Sequence, residues 1–359
     1  MPLTAIPCLF MRGGTSRGPY VNRKDLPGDR DTLSKVLLAA LGAGHPLCID
    51  GIGGSETVTT KVAMLSPSEH AWAEVDFFFA QVGVGEPTVD YSPSCGNILA
   101  GVGPAAIEMG LVPALNGETA VKIRNVNTET LVEAMVQTPD RRVEYEGPTA
   151  IDGVPGTAAP ITLNFMDIIG SKTGALFPTG QAREEIDGIT VTCIDVAMPM
   201  VVARAADFGL TGYESKAELN ENNDFLCRME PTRCKAGERM GLGDVSSSVI
   251  PKFGLLSPPR VDGTVTSRYF MPRACHPSHA VTGAICIAAC VVAPGTIADI
   301  ADASPGGPLE VIRIEHPSGM IDVALDYRLE GGLQLEKAGV LRTARLLMRG
   351  EVMVPHELW

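Results

Sequence analysis

Three stretches of this chain alternate apolar and polar side chains with a period of two. They are "HAWAEVDFFFAQVGV" at 70–84, "TAVKIRNVNTETLVEAMV" at 119–136 and "GPLEVIRIEHPSGMIDVALDY" at 307–327. That period predicts antiparallel strands with one buried and one solvated face. Two other stretches, "CGNILAGVGPAAIEMGLVP" from Cys95 and "HAVTGAICIAACVVAPG" from His279, are apolar on every face and rich in small residues. A surface helix keeps a polar side, so these two segments must be surrounded, and the sheets supply the surroundings. Segments 31–41 and roughly 214–229 are more amphipathic and are expected as outer helices. The chain is thus expected to be α+β, each half a curled, mostly antiparallel sheet around a central buried helix.

The two halves repeat. "IPCLFMRGGTSRG" from Ile6 and "VTCIDVAMPMVVAR" from Val191 both resemble a short strand at a turn, and an offset of 185 residues carries Cys8 onto Cys193. The same offset carries Cys95 onto Ala280, so the strand-to-helix spacing is 87 residues in both halves. Each apolar segment is stopped by Gly and Pro: Gly110 and Pro113 in one, Pro294 and Gly295 in the other. Halves of 1–183 and 184–359 are expected, meeting in the polar "TGQAREEIDG", with the last strand free to pair back with the first half. Two central helices of this kind can turn their amino ends, with unpaired N–H groups, toward one cleft.

Length and charge narrow the partners. The 359 residues are 45% hydrophobic, enough for substantial cores. Lys and Arg number 29 against 42 Asp and Glu, a formal charge of −13 that argues against nucleic acid or an anionic membrane surface as partner. An anionic substrate would need local positive potential from Arg and backbone N–H groups. Neither a signal-peptide apolar region nor an apolar run of about twenty residues stands in the sequence. The nine cysteines are scattered without a C-x-x-C pair, which fits a reducing, cytoplasmic compartment better than disulfides or structural zinc. A homodimer is compatible with the chain.

Several side chains could carry chemistry. In "MRGGTSRG" the Gly pair with Thr15, Ser16 and Arg17 could cup a carboxylate, or form an ordinary turn with solvated arginines. Lys61, after "VTT", could be an ordinary surface charge or a partly desolvated amine suited to proton transfer. Cys95, between Ser94 and Gly96-Asn97, could be a small buried hydrophobe or a thiol ionised by helix N–H groups. In the second half the position of Cys95 is taken by Ala280, preceded by Arg268, Arg273, Cys275, His276, Ser278 and His279. Arg268 or Arg273 could pair with carboxylates, and His276 could donate to a carbonyl. Cys275 and His276 are adjacent and poorly placed to bind one metal ion together.

These features resemble a known family. The duplicated halves with "CGN" at the first central helix are similar to the diaminopimelate epimerase fold. Within it, "PCLFMRGGTSRG", "IDGIGGSETVTTKVA", "DYSPSCGNILAGVGP", "TCID", "LGDVS" and "VLRTARLL" resemble the 4-oxalomesaconate tautomerase and isomerase group, related to 2-methylaconitate isomerase. The resemblance runs from about residue 5 to 350. It implies Lys61 and Cys95 as the acid/base pair. Thr15, Ser16, Arg17, Ser94, Gly96, Asn97, Arg268, Cys275, His276 and Ser278 would line a polycarboxylate pocket. The epimerases use a cysteine at each helix, whereas here the second is Ala280, so two-thiol racemisation is not the expected chemistry. The expectation is a cofactor-independent isomerase of an unsaturated keto tricarboxylate in gallate or protocatechuate breakdown, with no metal, flavin or pyridoxal. Its thiol and amine would stand on opposite sides of the guest. The alternatives are 2-methylaconitate isomerisation and a non-catalytic polycarboxylate-binding protein.

Overall fold

The strand signals of the first half resolve, in a computed structural model describing residues 2–166, 168–271, 273–301 and 310–359, into eight strands and three helices. In chain order they are β1 (Leu3–Gly13), β2 (Ser16–Asn22), α1 (Arg30–Leu41), β3 (Lys61–Pro67), β4 (Val75–Val82), β5 (Val89–Asp90), α2 (Gly96–Leu99), α3 (Val102–Glu108), β6 (Gly117–Asn125), β7 (Thr130–Thr138) and β8 (Pro160–Met166). The second half follows with β9 (Glu184–Ile186), β10 (Ile189–Asp195), β11 (Pro199–Arg204), α4 (Lys216–Glu221), α5 (Asn223–Arg239), β12 (Lys252–Ser257), β13 (Val265–Phe270), α6 (Val281–Val292), β14 (Glu310–His316), β15 (Gly319–Arg328) and β16 (Gln334–Pro355). The chain divides into two units, one of Met1–Asn164 with Leu341–Trp359 and one of Phe165–Val340. The expected boundary stretch at 179–188 lies within the second of these.

In the first unit the strands run β1-β2-β3-β4-β6-β7-β8, with β5 on β4. The pairs β2/β3 and β4/β6 are parallel, and β1/β2, β3/β4 and β6/β7 are antiparallel. The last residues of β16 pair antiparallel with β1, from Leu3↔Pro355 to Gly13↔Ala344. Alternation sorts the two faces. Val62 and Met64 of β3 join Ile6, Cys8 and Val21 under α1, which contributes Leu33, Val36, Leu37, Ala40 and Leu41 at helical spacing. Asp29 caps α1 by accepting the Thr32 N–H at 2.8 Å, and Gly42, in the left-handed region at φ 70°, ends it.

The second unit repeats the pattern as β9-β10-β11-β12-β13-β14-β15, with residues up to Val340 of β16 on β15. Again two neighbouring pairs, β11/β12 and β13/β14, are parallel. Its outer layer holds an aromatic cluster in which Phe208 meets Phe225 and Phe253 edge-on, with centroids 5.2 and 5.8 Å apart. The duplicated α+β reading therefore holds, and the 185-residue offset is visible directly: Cys95 is the N-cap of α2 and Ala280 the N-cap of α6.

Two helical expectations change in detail. The stretch 214–229 is not one helix, because Asn222 leaves helical geometry and turns its side chain to cap the Phe225 N–H at 3.0 Å, splitting α4 from α5. The first central helix is likewise broken after Leu99. Pro104 of α3 has no N–H to return to Ala100, and the Tyr20 hydroxyl takes the Ile98 carbonyl at 2.6 Å. Gly101 makes room for that phenol, since a Cβ there would stand 2.3 Å from the hydroxyl. The second central helix, α6, is continuous and buried on nearly every side.

Candidate active site

Because Val62 and Met64 point under α1, Lys61 and Ala63 point to the other face of β3, where α2 and α3 lie. There the Lys61 Nζ donates to the Cys95 Sγ at 3.1 Å and stands 5.8 Å from the centre of the Phe79 ring. Cys95 is only 6% exposed. Burial alone would push its thiol up, but the Lys61 ammonium and the backbone N–H groups of Ile98 and Asn97 outweigh burial and hold it below the usual thiol range. Lys61 and these N–H groups thus make the thiol easier to ionise than burial alone would allow. The expectation of amine and thiol on opposite sides of a guest is corrected: both belong to the first unit and touch.

The Gly-pair turn is built against the same helix start. Gly14 is in the left-handed region at φ 51°, and a Cβ on it would meet the Asn97 Oδ1 at 2.1 Å. That oxygen accepts the Thr15 N–H at 3.3 Å, so Asn97 fastens the turn to α2. The next residue, Ser16, lies on the face of β2 that also carries Tyr20, and its hydroxyl is buried with no hydrogen-bond partner among the described residues. A buried donor without a partner is costly unless a ligand or water completes it. Arg17 is turned the other way, exposed and stacked 5.8 Å from the Phe10 ring, because alternation along β2 separates it from Ser16.

Two asparagines that the sequence reading passed over hold the loop that delivers Cys95. Asn125 Nδ2 donates to the Ser94 Oγ, and its Oδ1 accepts the Asn127 N–H at 3.1 Å. Asn127 accepts the Phe79 N–H at 2.8 Å and donates to the carbonyls of Phe79 at 2.9 Å and Tyr91 at 2.7 Å. It thereby ties the strand bearing the ring under Lys61 to the segment leading into Cys95. The only signal was "NVN" between two alternating stretches, where polar residues at a hairpin are ordinary.

In the second unit the expected residues gather on β13 and the loop ahead of α6. Arg268 is buried, donating Nε to the Glu214 carbonyl at 2.8 Å, and burial pushes its guanidinium below the usual range. His276 accepts the Ser278 N–H on Nδ1 at 3.0 Å and places its ring edge-on to Tyr269. Cys275 is a correction: rather than lining a pocket it is fully buried in the core with Phe270 and Phe225, and burial pushes its thiol up to about 11. His279, adjacent to the Ala280 cap, shares Nε2 with the Ser267 hydroxyl at 3.2 Å. Among the described residues no group of three or more His, Cys, Asp or Glu gathers as a metal site, and no helix is long and apolar enough to cross a membrane.

This arrangement can take a proton at one atom and deliver one from a neighbour, with N–H groups beside it for developing negative charge. The chain as a whole is similar to several known proteins. The 4-oxalomesaconate tautomerase of Pseudomonas putida is 46% identical over 359 residues, covering 100% of this chain and 99% of its own. The (4E)-oxalomesaconate Delta-isomerase of Novosphingobium sp. is 45% identical over 352 residues, 98% of each chain. Among solved structures, methylitaconate-delta-isomerase superposes with a TM-score of 0.86 at 33% identity, covering 100% of this chain and 97% of that one. The purely ligand-binding alternative gives way before relatives that are isomerases and tautomerases. With the family described as PrpF protein matching residues 3–355, this chain belongs to the PrpF family and is an isomerase.

Proposed function

We propose that the protein isomerises 4-oxalomesaconate or a close unsaturated keto tricarboxylate, moving a proton along its conjugated system. The observation that carries this reading is the 3.1 Å contact between Lys61 Nζ and Cys95 Sγ. The relatives from Pseudomonas and Novosphingobium support the choice of acid, one by a tautomerase name and the other by a Delta-isomerase name.

The mechanism follows from the contact. The Cys95 thiolate removes a proton from a carbon beside the conjugated carbonyl, giving a neutral thiol and a dienolate. The Lys61 ammonium then gives a proton to a different atom of that system, becoming a neutral amine. The thiol proton crosses the Sγ–Nζ contact and restores the starting pair, so atoms and charge balance over one cycle. Two donors this close reach the two ends of a three-carbon allylic unit from one face, which favours a 1,3-shift over inversion at one carbon. The Ser16 hydroxyl, which has no hydrogen-bond partner among the described residues, holds a substrate carboxylate oxygen. Positioned acid–base catalysis of this kind supplies roughly 10²–10⁴-fold per group.

Proton NMR in D2O tests the proposal. Wild-type protein is expected to convert 4-oxalomesaconate with deuterium entering at one carbon, and Cys95→Ser to lose both conversion and exchange. Equal exchange in Cys95→Ser removes the thiol from the mechanism. Faster turnover of 2-methylaconitate than of 4-oxalomesaconate overturns the choice of substrate.

A further inference from the structure

Gly13 lies against the start of α2, where a Cβ would come 2.5 Å from the Asn97 carbonyl, so Arg12, one residue earlier on β1, points to the opposite face of the sheet. Its register partners are Arg17 on β2 and Arg345 on β16, which puts three guanidinium side chains in a row across three strands. Arg12 spends a single nitrogen, Nη1, on the Gly14 carbonyl at 2.9 Å and on the carbonyl and hydroxyl of Thr343 at 3.1 and 3.0 Å. Its Nε and Nη2 have no hydrogen bond, and no carboxylate pairs with it among the described residues. Arg345 is paired, at 3.0 Å, with Glu146, a carboxylate 76% exposed to water. Burial, and then the charge of Arg345, hold the Arg12 guanidinium below its ordinary range.

Among the described residues of this acidic chain, no carboxylate stands in an ion pair with this cation. What lies beside it instead is a cavity of about 440 Å³, within the range of small-molecule sites. Arg12, Arg345, Thr343 and Thr157 supply its polar groups, while Ile151 and Leu347 contribute to an apolar wall. A few convergent polar groups on an apolar lining are the usual make-up of a site for a small organic molecule. The unpaired Arg12 guanidinium sets its charge together with Arg345, whose own partner Glu146 is largely in water, and like charges at short range are relieved by an anion that both can grip. We propose that this cavity is a second binding site, separate from the Lys61–Cys95 pair, for a small organic carboxylate. The carboxylate spans Arg12 and Arg345, and the hydrocarbon skeleton rests on Ile151 and Leu347. Arg12 also holds the Gly14 carbonyl, so an occupant sits directly behind the turn fastened by Asn97.

Isothermal titration calorimetry of the full chain with glutarate tests the site, with inorganic phosphate as an arm that carries charge without a skeleton. One equivalent of glutarate is expected to bind the Lys61→Met/Cys95→Ser protein, with phosphate at least tenfold weaker. Arg345→Gln is expected to weaken glutarate roughly tenfold or more, the scale of a lost charge-assisted hydrogen bond. Arg345 is partly exposed on its strand, so that variant keeps the test decisive should Arg12→Gln fail to fold. The proposal is overturned by absence of glutarate binding, by unchanged affinity in Arg345→Gln, or by phosphate binding as tightly as glutarate.

Discussion

Replacing Lys61 with Met removes one charge and leaves the rest of the Cys95 environment standing. Cys95 is 6% exposed, and its sulfur accepts from the Lys61 Nζ at 3.1 Å. A hydrogen bond to a charged group is worth about 1.5–3 kcal/mol, which at fixed pH corresponds to roughly a 10- to 150-fold fall in the thiolate-to-thiol ratio. The sign is set by the competition at the site: burial raises the thiol, and only Lys61 and two backbone N–H groups oppose it. Without the ammonium, the midpoint for ionisation must move upward. The assay is the ultraviolet thiolate absorbance of each protein, titrated against pH and differenced against the same protein carrying Cys95→Ser. Stability should follow the same linkage. A depressed thiol stabilises the fold above its unfolded value, and that contribution is lost as pH falls through the folded value. The stability gap between wild type and Lys61→Met therefore narrows on acidification. Lys61→Arg, keeping the charge, should keep most of the thiolate. An unchanged titration midpoint in Lys61→Met would refute the ion-pair reasoning, whatever happened to turnover.

Asn127→Ala should lower kcat more than it raises KM and should shift the Cys95 titration, because three hydrogen bonds of 2.7–2.9 Å tying Phe79 to Tyr91 disappear; steady-state kinetics with the same absorbance titration checks this. Gly14→Ala forces a side chain into the left-handed region against Asn97 and should cost about 1–3 kcal/mol in chemical denaturation. Leu33→Ala, at a fully buried position under α1, should cost about 2–5 kcal/mol by the same measurement without altering the Cys95 titration. Burial pushes the Lys252 ammonium down to about 8. The unfolded chain then binds more protons between that pH and the ordinary lysine range, so stability should rise with pH across it; the rise should vanish in Lys252→Met.

The parts of this molecule legible in its sequence are those governed by local pattern. Period-two alternation marked β4, β6, β7 and β15, and the matched spacing of Cys8–Cys95 and Cys193–Ala280 disclosed the repeat, since both later positions are helix caps. Lys61 and Cys95 were found as a pair by resemblance. Their direct contact was not foreseen, because it depends on which face of β3 is turned to α2. Arg17 and Cys275 show the converse limit. A motif names residue types, but strand alternation turned Arg17 away from Ser16, and an aromatic core absorbed the Cys275 thiol. Asn125 and Asn127 act through hydrogen bonds to segments far along the chain, and a polar hairpin looks alike whether or not it holds anything. The split at Asn222 had a local cause, a side chain able to cap the following turn, and was missed because hydrophobic periodicity runs straight through it.

β1 has β2 on one edge, but its other antiparallel partner arrives some 330 residues later, since Leu3 meets Pro355 and Gly13 meets Ala344. Val352 and Val354 of that returning strand also fill the layer under α1. During synthesis the first-made unit must therefore wait, with one strand edge bare and its outer layer incomplete, until residues 344–355 have been made. A fragment ending at Asn164 would carry that bare edge permanently and would be prone to pair with other copies of itself. Joining residues 341–359 ahead of residue 1 through a short linker would instead let the unit close as soon as it emerges from the ribosome.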